Sequence, residues 1–201
     1  MIAIRVWLHR PLLDQPGAVA YVVEPAVVLI VYAVLIAWAT ADVDPVRKTT
    51  LRIGTIFGLI GSTLQLVHLG QENFLDLGAR DNGISALAFM LTTFLLWGVA
   101  GYRAARSTRT AGAGLIAGSW SAAVSMVAVV TFGFALMFSS VPRLDEVATW
   151  AEFKRSGWTD VRAFAIANSL DAAFSHLLGG PVVGAILGGL AGLLSGIRSP
   201  S

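Results

Sequence analysis

GPVVGAILGGLAGLLSG, residues 180–196, carries glycine at every fourth position: Gly180, Gly184, Gly188, Gly192 and Gly196. In water each glycine inside a helix costs about 1 kcal/mol relative to alanine. In lipid, helices associate by close van der Waals approach, and small residues provide the groove for it. A segment this apolar with five such positions therefore reads as a membrane helix with a packing face. Each step of four residues turns about 400°, so the stripe drifts about 40° per glycine and roughly 160° over the run. One straight neighbour cannot follow that drift, but a right-handed crossing or two neighbours in succession can. The middle glycines, Gly184, Gly188 and Gly192, are expected to make the closest contact. Gly54 and Gly58 form a second GxxxG and are the expected partner face within the chain, with a second protomer as the rival. Gly112, Gly114 and Gly118 read as packing notches.

The whole chain has the same character. Of 201 residues 56% are hydrophobic and 13% charged, against about 25% charged in a soluble domain, and mean hydropathy is +0.73. The expected fold is all-α: one polytopic integral membrane domain over 1–201, a bundle of about five transmembrane helices with interfacial amphipathic helices. Absence of cysteine excludes disulfides, thiolate metal sites and cysteine nucleophiles. The net charge of +2 comes from residues beside apolar segments, which marks topology and not nucleic-acid binding. Lys occurs only at 48 and 154, while Arg, Ala and Gly abound, the composition of a GC-rich bacterial genome.

Five spans are expected, at about 25–41, 51–69, 84–102, 111–138 and 181–197. Pro25 suits a first helical turn with Glu24 as N-cap, although a start near Ala18 with a kink at Pro25 is the alternative. Thr49 and Thr50 are candidate caps for the second span, and Pro142 ends the fourth. Residues 1–17, with Trp7 and Leu8, read as an interfacial segment and not as a signal peptide. Residues 143–178 read as amphipathic interfacial segments, broken at Ser156-Gly157 and again at Gly179-Gly180-Pro181. The last span is short at 17 residues, so the preceding helix is expected to contribute its final turns. Glu152, Lys154 and Arg155 with Trp150 and Trp158 read as a solvated collar there, with a lipid or partner dock as the alternative.

Arg47, Lys48 and Arg52 flank one loop, and Arg103, Arg106 and Arg109 another, which makes those two cytoplasmic by the positive-inside rule. The C-terminus with Arg198 then also faces the cytoplasm, and the protein belongs in a bacterial inner membrane. Trp38, Trp97, Trp150 and Trp158 fit aromatic belts at the two interfaces.

Polar residues intrude mainly at the outer helix ends. Glu24 opens the first span; Gln65, His68 and Glu72 share one face of the second. Asn168, Asp171 and Ser175 share a face before the fifth, with His176 beside them. The plain reading is that helix ends lie among headgroups and that these charges suit the helix dipoles. A polar cavity for a proton, an ion or a small solute is the next reading. A metal or haem held by His68 and His176 follows, and then acid–base chemistry by His68, Glu72 and Asp171 with Ser175 as nucleophile. There is no GxSxG, HExxH or phosphate-cradling glycine loop. The expected role is therefore non-enzymatic: a structural, accessory or lipid- and partner-binding membrane protein, with no cofactor and no nucleic acid. Its expected partners are membrane lipids, with a second copy through the glycine face as a further option. A small transporter or channel is the alternative, and a haem- or metal-binding protein the third option.

Overall fold

A computed structural model describes residues 13–15, 17–41, 44–74, 79–139 and 144–196. The expected interfacial segment with Trp7 and Leu8, Pro142, and Ile197 and Arg198 at the C-terminal end lie outside the described residues, as does the side chain of Trp38. Every regular element among the described residues is an α-helix: α1 (Ala18–Thr40), α2 (Pro45–Phe74), α3 (Ala79–Thr108), α4 (Ala111–Ser139), α5 (Leu144–Thr149), α6 (Ala151–Ser156) and α7 (Val161–Gly196). Five of them are long and apolar enough to cross a membrane, over Ala18–Ala37, Pro45–Glu72, Gly83–Thr108, Ala111–Leu136 and Val161–Ser195. The chain is an all-α multi-pass membrane protein.

Several helix ends differ from expectation. Helix α1 begins at Ala18 and runs through Pro25, so Glu24 is inside the helix and not at its N-cap. Helix α2 begins at Pro45, and Thr49 and Thr50 are not its caps. Asp44 caps it, accepting hydrogen bonds on Oδ1 from the Val46 and Arg47 amides at 2.8 and 3.0 Å. Proline then sits at the first helical position, where its missing N–H costs nothing. The largest correction is α7. The amphipathic stretch and the fifth span form one 36-residue helix with Pro181 inside it. Proline removes one donor, but leaving the helix within lipid would strand several backbone groups without partners, which costs more.

The chain divides into two compact units, each discontinuous in sequence. The first comprises residues 1–35 and 134–175, the second 36–133 and 176–201. Helices α1, α4 and α7 contribute to both.

In the first unit an aromatic cluster holds the short helices. Trp158 meets Tyr21 edge-on at 5.9 Å and Phe164 at 5.8 Å, and Phe153 meets Phe164 at 5.3 Å. Ala18, Val147, Ala163 and Ala167 are buried around them. Gly157 turns the chain between α6 and α7 with φ of 73°, a conformation that costs glycine nothing. Asp160 caps α7, its Oδ1 accepting from the Arg162 and Ala163 amides at 2.9 and 3.0 Å. Asp160→Ala is expected to cost about 1 kcal/mol, the usual worth of an N-cap, read as a lower midpoint in thermal unfolding. Trp158, expected in an interfacial belt, is a core residue at 8% exposure.

The second unit packs α2, α3, α4 and the C-terminal half of α7 around small residues. Helix α4 is approached from two sides. A Cβ built on Gly54 would come within 2.8 Å of the Ala117 carbonyl oxygen, and one on Gly58 within 2.7 Å of that of Ser121. A Cβ on Gly184 would lie 2.5 Å from the Gly118 carbonyl oxygen, and one on Gly188 would strike the Gly114 carbonyl and lie 2.8 Å from Gly118 Cα. Gly192 lies against Ala111 and Gly114, while Gly180 lies nearest the Met126 side chain. The partner of Gly184, Gly188 and Gly192 is therefore not Gly54 and Gly58. It is Gly114 and Gly118 of α4, joined by Gly101 of α3, whose own Cβ would collide with the Gly188 backbone. The drifting stripe thus runs along α4 and gains α3 as a second neighbour near Gly188. The environment of Gly196 lies outside the described residues.

Candidate functional site

Helices α2 and α3 run antiparallel, since partners on α3 fall in number as those on α2 rise: Phe57 pairs with Arg103, Gln65 with Thr93 and Gln71 with Ser85. This pairing builds a polar seam inside an apolar bundle. Gln65 Nε2 donates to Thr93 Oγ1 at 2.9 Å, and Thr93, 1% exposed, donates in turn to the Phe89 carbonyl at 2.8 Å. One turn further along α2, the His68 ring stacks on Phe89 at 5.2 Å. Glu72 Oε1 lies 3.3 Å from His68 Nε2. Nδ1 is buried and meets no hydrogen-bond partner among the described residues.

The seam continues between α3 and α4. Trp97, 2% exposed, donates its indole N–H to Ser125 Oγ at 3.3 Å. Ser125 Oγ lies 2.9 Å from both the Gly58 and the Ser121 carbonyl oxygens, which share its one hydroxyl proton. Trp97 was expected at an aromatic belt; it is instead a core residue. The small residues that let α2 and α4 approach leave room for its indole.

The other expected site residues are placed differently. Gln65, His68 and Glu72 form one stripe in the second unit. His176, exposed, also belongs to that unit. Glu24, Asn168 and Asp171 belong to the first unit, where all three side chains are exposed, as is Ser175. Among the described residues no three His, Asp or Glu side chains group closely enough to hold a metal ion.

A second feature lies on the same unit's surface. A groove of about 420 Å³ runs between α3 and α7, with Phe94, Leu95, Gly98 and Tyr102 on one side and Leu187 and Ala191 on the other. Sequence reasoning passed over Gly98 and Gly101. Their three-residue spacing on a membrane helix was the available signal.

No protein-family model matches the chain, and neither a curated protein nor a solved structure is similar to it.

Proposed function

We propose that this chain is a non-enzymatic structural or accessory protein of a bacterial inner membrane, holding lipid or a membrane partner on a fixed helical platform. One observation carries this reading: the backbone-to-backbone contact of Gly101, Gly114 and Gly118 with Gly184 and Gly188. No side chain separates the helices there, so no rotamer change opens a path between them. Alternating access needs one part to rock or slide against another. Large apolar side chains such as Ile30, Val34, Leu91, Leu190 and Leu194 are exposed, which fits helices solvated by lipid or covered by a partner. The basic residues flanking the α1–α2 and α3–α4 connections support a cytoplasmic position for both and for the C-terminus.

A second reading, a small proton- or ion-conducting protein, is favoured by the His68 site. An ionisable ring buried in a membrane helix, with a nitrogen that has no partner among the described residues, is a functional-site candidate. The two readings part in proteoliposomes. The wild type is expected to dissipate an imposed proton or potassium gradient no faster than empty vesicles do. A leak through the wild type that His68→Ala abolishes would replace the accessory role with transport.

A further inference from the structure

The groove between α3 and α7 has two chemically different parts. Its walls are apolar side chains within Gly83–Thr108 and Val161–Ser195, both apolar enough to lie in the bilayer. Its floor exists because residue 98 has no side chain. A Cβ at Gly98 would meet only the Leu187 carbonyl oxygen, at 4.0 Å. The volume of about 420 Å³ falls in the usual range of ligand sites, about 300–1,000 Å³. An apolar groove open to the membrane suits a flexible hydrocarbon chain.

The other part is the end at Tyr102. Arg106, one turn beyond and exposed, donates from Nη1 to the Tyr102 hydroxyl oxygen at 3.4 Å. That bond leaves the phenolic proton free to be donated onward. Arg103 is turned elsewhere, its guanidinium 6.0 Å from the Phe57 ring centre on α2. The groove therefore ends in one guanidinium and one hydroxyl donor, a pair that matches a phosphate diester. Guanidinium favours phosphate by charge and by its planar array of donors. Basic pockets between membrane helices bind anionic lipid headgroups by the same chemistry.

We infer that the groove holds an acyl chain of one anionic phospholipid, whose phosphate rests on Arg106 and the Tyr102 hydroxyl. The inference builds on the lipid-holding role proposed above and names its ligand class and site. The full-length protein, purified in detergent, is offered phosphatidylglycerol and phosphatidylcholine of identical chains in equal amounts, and retained lipid is read by native mass spectrometry. One phosphatidylglycerol is expected to stay bound in preference to phosphatidylcholine. Arg106→Ala should cut its retention about fivefold without lowering the unfolding midpoint, as expected for loss of one surface cation. Gly98→Leu should fill the groove and release both lipids.

Equal retention of the two lipids by the wild type would overturn the site. So would retention of phosphatidylglycerol unchanged in Arg106→Ala. If Gly98→Leu changed the oligomer size and left lipid retention alone, the groove would be an interface with a second copy and not a lipid site. Failure of the lipid test leaves the gradient experiment standing. A leak dependent on His68 would remove the accessory role without touching the lipid result.

Discussion

Leucine at position 188 will prevent the second unit from assembling. Even the first atom of any side chain there is too large. A Cβ on Gly188 meets the Gly114 carbonyl, Gly118 Cα at 2.8 Å and Gly118 N at 3.0 Å, all backbone atoms that cannot rotate away. Relief requires α4 and α7 to separate. Separation forfeits the dispersion contacts that hold helices together where no hydrophobic drive acts between them. Gly188→Ala alone should cost about 1–3 kcal/mol, the usual range for overpacking, and Gly188→Leu should yield little folded protein. Gly189→Ala is the control next in sequence. Its Cβ would lie 3.8 Å from the Leu115 side chain, in ordinary contact, so it should be neutral or gain up to about 1 kcal/mol. Thermal unfolding in detergent, followed by circular dichroism, reads all three. Equal midpoints for Gly188→Ala and Gly189→Ala would show that the α4–α7 seam does not hold the unit.

The second large loss is expected for Trp97→Ala. The side chain is 2% exposed, lies 5.2 Å from the Phe94 ring and is bonded to Ser125. Removing it opens a cavity between α2, α3 and α4 and takes away a donor to Ser125. The expected cost is about 3 kcal/mol, the low end for a buried aromatic, because the indole's alternative surroundings are lipid and not water. Ser125→Ala isolates the polar share. It keeps the ring packed but strands the indole N–H, and should cost about 0.5–2 kcal/mol. Were Trp97 a belt residue facing headgroups, Trp97→Ala would leave the unfolding midpoint nearly unchanged.

Trp97 and Trp158, two of the four tryptophans read as belt residues, show where sequence reasoning reaches its limit. Position near the end of an apolar window is equally consistent with a headgroup contact and with a core contact, since both bury the ring and leave the N–H a partner. Only the neighbouring helix decides. The partner of the glycine stripe is a similar case. Small residues recur on α2 at 54 and 58, on α3 at 98 and 101, and on α4 at 114 and 118. Each is a surface that the Gly184–Gly192 stripe could accept, and spacing alone ranks none of them first. The polar stripe of Gln65, His68 and Glu72 was legible, because three- and four-residue spacing places side chains on one helix face wherever that helix goes. Its partners Phe89 and Thr93 were not, because they depend on the register of α3 against α2.

Hydropathy by itself determined that the chain is helical and that five helices among its described residues are long and apolar enough to cross a membrane. In lipid a backbone must satisfy its own hydrogen bonds, which makes long apolar segments helices regardless of what surrounds them. That same rule carries α7 unbroken through Gly179, Gly180 and Pro181, residues that would end a helix in water. The choice among neighbours belongs to tertiary structure alone. It rests on contacts of a few tenths of an ångström between backbones, and these exist only once four helices have met. There the Gly180–Gly192 stripe finds α4 and α3, His68 finds Phe89, and Gly98 leaves the groove beside Tyr102 and Arg106.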